Sequence, residues 1–311
     1  MKTFLYLVII VLIVLTGLPA VNPPVFAGPP PVLVWDHYSE NPRGYDTFRL
    51  EQDPFVRKDT PAAPRDGLDL VRASGSSQFS EKGLVEIKSR IPARQLVVVD
   101  LREESHGFVD GRAVFWLGLH NWANQGMSQQ EALADERRRL DELRRLGKAT
   151  VAVETSAKVE EGRPVVVRSV ATEEEICRAH GVDYLRLAVT DLSAPKPDRV
   201  DRFVELVRKL PADGWVHLHC KAGLGRTSVF LQMYDMMKNA KRLSPEDVNR
   251  RQYLLGGHDL LVLPPRARFN HEASVARAEF LRRFHEYCRS NSDGFATTWS
   301  SWLSAHKQDR K

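Results

Sequence analysis

The sequence predicts an α/β domain, and three observations carry the prediction. A mostly apolar, alternating run, Trp215 to His219, leads through a short polar loop into a helical run, Thr227 to Asn239. Leu96 to Val99 is apolar and mostly β-branched, as in a strand buried on both faces, and polar residues follow it directly. Between these, segments with helix start and stop signals alternate with strand-like runs.

The chain opens on Lys2 and an apolar run from Phe4 to Leu15, followed by Gly17, Pro19 and Val25-Phe26-Ala27. This pattern predicts a cleaved export signal over residues 1–27, with an uncleaved anchor as the alternative. The run is short for a membrane span, so no membrane association is expected after cleavage, and the periplasm or the exterior is the expected location. Cleavage would leave 284 residues at a formal charge of +4, since Lys2 is the only charged residue removed from a total of +5. Residues 28–40 are proline-rich at their start and read as a linker, and 41–311 as one main domain.

Arg43 to Arg65 has no sustained periodicity and is expected to be mostly loop. Ser80 to Arg90 is weakly helical, with Gly83 against it. Ser128 to Leu146 is a helix with a capping box, Ser128 and Glu131, and a stop at Gly147; its arginines alternate with acids as on a solvated face. Ala149 to Val153 and Pro164 to Val170 read as strands. Thr172 and Glu175 cap a helix ending at Gly181, and Tyr184 to Val189 is a strand running into Thr190 to Pro197. The next helix carries Val200, Phe203, Val204 and Val207 as its apolar stripe, leaving Asp198 and Asp201 toward water. Ser244-Pro245 starts a helix stopped by Gly256-Gly257, and a long helix spans about Glu272 to Arg289.

The chemistry sits in the loop HCKAGLGRT, His219 to Thr227. A strand-to-helix loop aims free amides and the positive end of a helix dipole at one point, which is an anion site. Gly223 and Gly225 are expected to take left-handed dihedrals and let the backbone approach an oxyanion, with Lys221, Ala222 and Leu224 completing the cradle. Arg226 offers a planar fork for two phosphoryl oxygens. Cysteines placed at helix N-termini beside cations are thiolates near neutral pH, so Cys220 reads as a nucleophile and Thr227 as a hydroxyl that stabilises its sulfur. His219 reads as a buried histidine that bonds the loop and orients the cysteine. An alkoxide leaving from a phosphate monoester needs a proton, and Asp191, in a serine- and proline-rich loop at a strand end, is the expected acid.

HCKAGLGRTS resembles the signature of the cysteine-dependent protein tyrosine phosphatase superfamily. DLREESHG (Asp100 to Gly107), AVTD (Ala188 to Asp191), RQYLLGG (Arg251 to Gly257) and DGF to TWSSWL (Asp293 to Leu303) extend the resemblance to its bacterial phytase-like branch, over about residues 41–303. The resemblance implies a cysteine-phosphatase fold, a central mixed sheet flanked by helices, with a small partial β-barrel appendage around 149–170 and part of the N-terminal segment. It also implies substrate contacts from Arg49, Glu104, Lys158 and Arg277; the residues alone equally allow Arg49 and Arg277 as surface arginines. Where the phosphotyrosine enzymes carry Trp-Pro-Asp this chain has Val189-Thr190-Asp191, and where many phytase-like members carry His after the acid it has Leu192.

These features predict a phosphoric monoester hydrolase that removes phosphates stepwise from inositol hexakisphosphate through a cysteinyl-phosphate. The alternatives are a phosphotyrosine or phosphoinositide phosphatase acting as a secreted effector, and a non-catalytic inositol phosphate binder. The modest positive charge suits a small polyanionic substrate, and the sequence has no basic-aromatic array of the nucleic-acid kind. No metal-ligand spacing, dinucleotide fingerprint or Walker loop is present, so no cofactor is expected. Three cysteines leave an odd one: Cys177 and Cys288 are either paired, with Cys220 free, or all three are reduced.

Overall fold

The computed structural model describes residues 30–58, 62–155 and 158–306; the expected export segment lies outside them. In chain order the elements are β1 (Val32–Trp35), β2 (Arg49–Leu50), β3 (Ala73–Ser76), α1 (Glu81–Arg90), β4 (Gln95–Arg102), β5 (His106–Val109), β6 (Arg112–Leu117), α2 (Gln129–Leu146) and β7 (Lys148–Val153). They continue with β8 (Arg163–Val166), β9 (Val170–Ala171), α3 (Glu173–Ala179), β10 (Asp183–Val189), α4 (Pro197–Lys209), β11 (Gly214–His219), α5 (Gly225–Asn239), α6 (Pro245–Leu254), α7 (His271–Ser290) and α8 (Trp299–Ala305).

The central sheet runs β10-β4-β11-β3-β2, parallel except for the antiparallel β2 edge. Period-two alternation divides its side chains between two cores. Val97, Val99, Leu101, Val216 and Leu218 face α4, α5 and α7, and pack with Phe203, Phe230, Leu281 and Phe284. Leu96, Val98 and Trp215 face the other way, onto Leu84 and Ile87 of α1 and Ile176 of α3. Each fully buried side chain of this size contributes roughly 1.5–3 kcal/mol. Cys177 belongs to the second core and Cys288 to the first, so the sheet stands between them; all three cysteines are free thiols and the open pairing resolves to none.

The expected appendage is a second sheet, β8-β7-β1-β6-β5-β9, open at both edges. Besides strands from 149–170 and from the N-terminal segment it takes in β5 and β6. Its centre is β1 and β6, whose antiparallel register pairs Val34 with Phe115, so the segment read as a linker at 28–40 contains a core strand. The run expected as one strand, Pro164 to Val170, splits into β8 and β9 at opposite edges. Helix α2 closes this sheet with Leu140 and Leu143, starts in the expected capping box and stops at left-handed Gly147. Gly83 has a packing reason: a Cβ there would lie 2.3 Å from the Gly44 carbonyl oxygen, so α1 and the 41–48 loop touch backbone to backbone. Asp198 is exposed, but Asp201 accepts from the Ser300 amide at 3.0 Å and so anchors α8.

Candidate active site

Every residue of β11 is buried, and the chain then turns through Cys220 to Leu224 into α5. Helices α1, α2, α3, α6 and α8 begin with a serine or threonine whose side chain bonds a first-turn amide, whereas α5 begins at Leu224 with no side-chain cap. Its opening amides therefore remain available to an anion.

The loop is braced from behind through its carbonyls. The Gln78 amide donates to Lys221 O at 3.0 Å, Thr47 Oγ1 to Ala222 O at 3.0 Å, and Arg49 Nη1 to Gly223 O at 2.9 Å. Fixing three consecutive carbonyls outward turns the intervening N–H groups inward. Gly223 has φ 70°, and a Cβ there would meet Thr47 Oγ1 at 2.3 Å and the Ser77 amide nitrogen at 2.4 Å, so only glycine fits. Gly225 departs from expectation. It is helical rather than left-handed, and its bare Cα faces open space with Arg277 Nη1 as its one neighbour, 3.8 Å from where a Cβ would stand.

Cys220 is buried at the base of this loop, and Thr227 Oγ1 donates to its Sγ at 3.3 Å. Arg226 is buried and gripped end-on by Glu104, with Nη1 to Oε2 at 2.7 Å and Nη2 to Oε1 at 3.0 Å; Nη1 also donates to Val189 O at 3.1 Å. Burial pulls the Arg226 guanidinium down, but Asp191 and Glu104 outweigh it and hold it well above its ordinary value. Burial pushes Glu104 up, and Arg226 with Arg102 overcome this and hold it far below the usual carboxylate range. Glu104 is thus turned inward onto two guanidiniums instead of toward a substrate, where an anion would meet repulsion.

The bracing continues beneath the loop as a buried charge network. Arg102 donates from Nε to Glu104 at 2.8 Å and from Nη1 to Asp36 at 2.9 Å and Gln78 at 2.8 Å. Gln78 in turn donates to Glu173, which lies 2.6 Å from His219 Nε2. The alternation of β11 explains why His219 does not bond the loop: it shares the face of Trp215, opposite to Leu218, and meets Glu173 and the Phe79 ring. Asp100, Glu173 and His219 are the one group among the described residues close enough to share a metal ion, and Arg186 and His106 already neutralise Asp100 at 2.8 and 3.0 Å.

Asp191 stands on the open side. Its Oδ1 lies 3.3 Å from Arg226 Nε and accepts from the Leu192 amide at 2.9 Å, while Oδ2 accepts from Asn121 Nδ2 at 3.0 Å. The Arg226 Nε makes no hydrogen bond, so the guanidinium edge not held by Glu104 keeps a donor beside Asp191. Three residues around Asp191 hold left-handed backbone: His120 (φ 55°), Asn121 (φ 63°) and Leu192 (φ 67°). Such conformations cost about 1–3 kcal/mol each and persist where surrounding contacts impose them.

The remaining expected substrate residues separate into two groups. Arg49 is buried and spent on the loop, donating also to Ser228 Oγ at 3.1 Å; burial lowers it to about 10. It is not a surface arginine: its two terminal nitrogens brace the loop and Ser228, while its Nε is unpartnered. Arg277 is mostly buried, reaches Leu192 O at 3.4 Å, and keeps its Nε unpartnered beside Gly225 and Asp191; burial lowers it and Asp191 partly offsets this. Lys221 leans out of the loop to Glu154 at 2.5 Å and lies 4.7 Å from the Phe115 ring centroid, joining the cradle to the second sheet. Lys158 is exposed beyond Glu154 on the same hairpin. Asn121, Trp122, Glu154 and Arg102 were not legible as site residues. The stretch LHNWANQG carries no periodicity or motif that would single out its polar members.

The family model for PTP-like phytases, described as inositol hexakisphosphate, matches residues 99–238. The effector protein hopD2 of Pseudomonas syringae pv. tomato is 31% identical over 243 residues, 76% of this chain and 52% of that protein. The uncharacterized protein AvrBs1.1 of Xanthomonas campestris pv. campestris is 37% identical over 102 residues, 31% of this chain and 94% of that one. Among solved structures, the PTP-like myo-inositol phosphatase from Mitsuokella multacida, in complex with myo-inositol-(1,3,4,5)-tetrakisphosphate, aligns with TM-score 0.82 at 34% identity, over 92% of this chain and 49% of that chain. A PTP-like phytase from Bdellovibrio bacteriovorus aligns with TM-score 0.72 at 33% identity, over 89% of this chain and 96% of that chain. This chain therefore spans about half the length of the hopD2 effector and of the Mitsuokella chain. The matched segment contains the C-terminal end of β4, the Asp191 loop and the cradle itself, and with the Bdellovibrio structure aligned over nearly its whole length, the chain belongs to the PTP-like phytase family.

Proposed function

We propose that this protein is an exported cysteine-dependent phosphomonoesterase that removes phosphates stepwise from inositol hexakisphosphate and lower inositol polyphosphates. The observation that carries the reading is that one strand-to-helix loop joins buried Cys220, bonded by Thr227 Oγ1, to the uncapped start of α5, whose first turn carries Arg226 with its Nε 3.3 Å from Asp191. The neighbour solved with an inositol tetrakisphosphate supports the substrate class.

In the first step the Cys220 thiolate attacks phosphorus in line, an S–P bond forms and the P–O bond to the ring breaks. Loop amides and the Nε edge of Arg226 hold the equatorial oxygens, and Asp191 gives its proton to the leaving oxygen. In the second step water attacks phosphorus, Asp191 takes its proton, and the S–P bond breaks to release phosphate and the thiolate, which accepts from Thr227 Oγ1. Lys221, Lys158 and Arg277 supply positive charge around the mouth for neighbouring ring phosphates, while Arg49 and Glu104 hold the cradle and Arg226. We further propose a single phosphatase domain that starts with β1, inside the segment read as a linker, and is preceded by the export segment 1–27.

The test is phosphate release by purified protein from inositol hexakisphosphate, a phosphotyrosine peptide and a phosphoinositide. The reading expects hydrolysis of the hexakisphosphate above the other two. Faster turnover of the peptide would instead favour a secreted effector phosphatase, the second reading, which the hopD2 relationship supports.

A further inference from the structure

The Asp191 carboxylate is held by a residue that belongs to neither the cradle nor its own loop. Asn121, 8% exposed, donates from the single atom Nδ2 to Glu104 Oε1 at 3.0 Å and to Asp191 Oδ2 at 3.0 Å. The same Glu104 oxygen receives Arg226 Nη2 and Arg102 Nε. Two carboxylate oxygens face this amide, so they fix its orientation: the flipped amide would set its own oxygen against both, and only the NH2 group satisfies them. Next to it, Trp122 Nε1 donates to the Asp191 main-chain oxygen at 3.0 Å. The left-handed backbone of His120 and Asn121 is what brings the two side chains to Asp191 together.

We propose that Asn121 is a positioning residue for the proton transfer, tying the orientation of Asp191 to that of Arg226 through Glu104. Glu104 sets the guanidinium that receives the phosphoryl group. Asn121 hangs Asp191 from the same carboxylate, so the acid and the phosphate-holding fork keep one spacing. Such registration matters because a proton donor works only within hydrogen-bond reach of the leaving oxygen. The inference rests on Asp191 being the acid proposed above.

The experiment compares kcat/KM, which reports the steps up to cysteinyl-phosphate formation, for inositol hexakisphosphate and for para-nitrophenyl phosphate. The first loses an alkoxide that must be protonated, and the second an aryloxide that leaves with little help. Asn121→Ala is expected to lower kcat/KM by about 10- to 100-fold on the hexakisphosphate and by less than about 3-fold on the aryl phosphate. In an Asp191→Asn background, Asn121→Ala should cost nothing further, because the group it orients no longer donates a proton. Equal losses on both substrates, or an additional loss in the Asp191→Asn background, would overturn the proposal. If Asp191→Asn itself slows both substrates alike, the acid assignment fails, and that result is distinguishable from Asn121→Ala alone lacking leaving-group dependence. Should Asn121→Ala fail to fold, Trp122→Phe keeps the ring and removes only the Nε1 donor. It is expected to give a smaller loss of the same selectivity, about 3- to 10-fold, and no selectivity there would equally count against the proposal.

Discussion

The floor and the rim of the site are built on opposite plans. On the floor, Cys220, Gly223, Arg226 and Thr227 are buried, and the loop and Arg226 are fixed by half-buried Thr47 and by the buried Arg49, Gln78 and Glu104, with Arg102 and Glu173 beneath them. On the rim, Lys158 is exposed, Lys221 is held by a half-buried glutamate, and Asp191 keeps a quarter of its side-chain surface in solvent. The difference teaches how the labour divides. A phosphoryl group presents the same three oxygens on any substrate, so the floor is rigid, whereas the remainder of the substrate meets side chains that adjust.

Removing the nucleophile is the largest break. Cys220→Ser is expected to lower hexakisphosphate hydrolysis by about 10⁴-fold or more while leaving binding of the hexakisphosphate measurable by calorimetry. Next comes Glu104→Gln, which removes the charge that two buried guanidiniums share. Breaking one partner of a buried pair costs about 3–5 kcal/mol, so Tm should fall clearly and kcat/KM should drop about 100-fold as Arg226 loses its orientation. The matched rim substitution, Glu154→Gln, releases Lys221 and is expected to change Tm hardly at all, since partly solvated pairs contribute about 0–1 kcal/mol. A comparable Tm loss in both variants would erase the distinction between floor and rim.

Legibility in the sequence followed the same divide. The strand-loop-helix of the cradle and the boxes at Ser128, Thr172 and Ser244 depend on neighbours within a few residues, so local patterning sufficed for them. The bracing did not show, because its pairs are remote: Glu104 and Arg226 are 122 positions apart, Lys221 and Glu154 67, and Asn121 and Asp191 70. Arg49 and Glu104 were marked by resemblance as substrate contacts, and both point into the protein instead, where their charges hold the loop and Arg226. The motif RQYLLGG resolves likewise into scaffold. Arg251 pairs with Asp235 and with the carbonyls of Pro64 and Asp66, and Gly257 lies so close to Ser228 that a Cβ would stand 2.7 Å from its Oγ. The strand at Val32–Trp35 escaped because proline-rich composition just before it outweighed four residues of apolar pattern.

Smaller effects belong to the rim. Lys221→Met and Lys158→Ala each remove one positive charge from a solvated edge, where a unit charge at contact is worth on the order of 1 kcal/mol. Each is expected to raise KM for the hexakisphosphate by about 3- to 10-fold, with kcat unchanged and para-nitrophenyl phosphate unaffected. A fall in kcat for Lys221→Met would move that residue from rim to floor.

The smallest effect on turnover is expected from Glu51→Gln, and it tests whether the support behind the floor is electrostatically neutral. Glu51 is buried behind Arg49, bonded by Gln252 Nε2 at 2.5 Å, and burial with the nearby Asp235 pushes its carboxyl up to about 8. An acid raised in the folded state stabilises the fold below its unfolded value, near 4.5, and loses that contribution as pH rises through about 8. The loss is on the order of 3–5 kcal/mol over that window. Burial lowers His106 while Asp100 more than offsets it, leaving it near 9, so it adds a loss of the same sign between about 6.5 and 9. Glu173 acts only on the acid side: burial raises it, His219 overcomes this, and near 2 it costs stability as pH falls below about 4.5. Glu51→Gln should therefore match the wild type in Tm at pH 5 and exceed it increasingly toward pH 9, with a residual slope to which His106 contributes. Parallel Tm profiles for the two proteins from pH 5 to 9 would mean that Glu51 is ionised in the fold and that Arg49 carries a fixed counter-charge beneath the cradle.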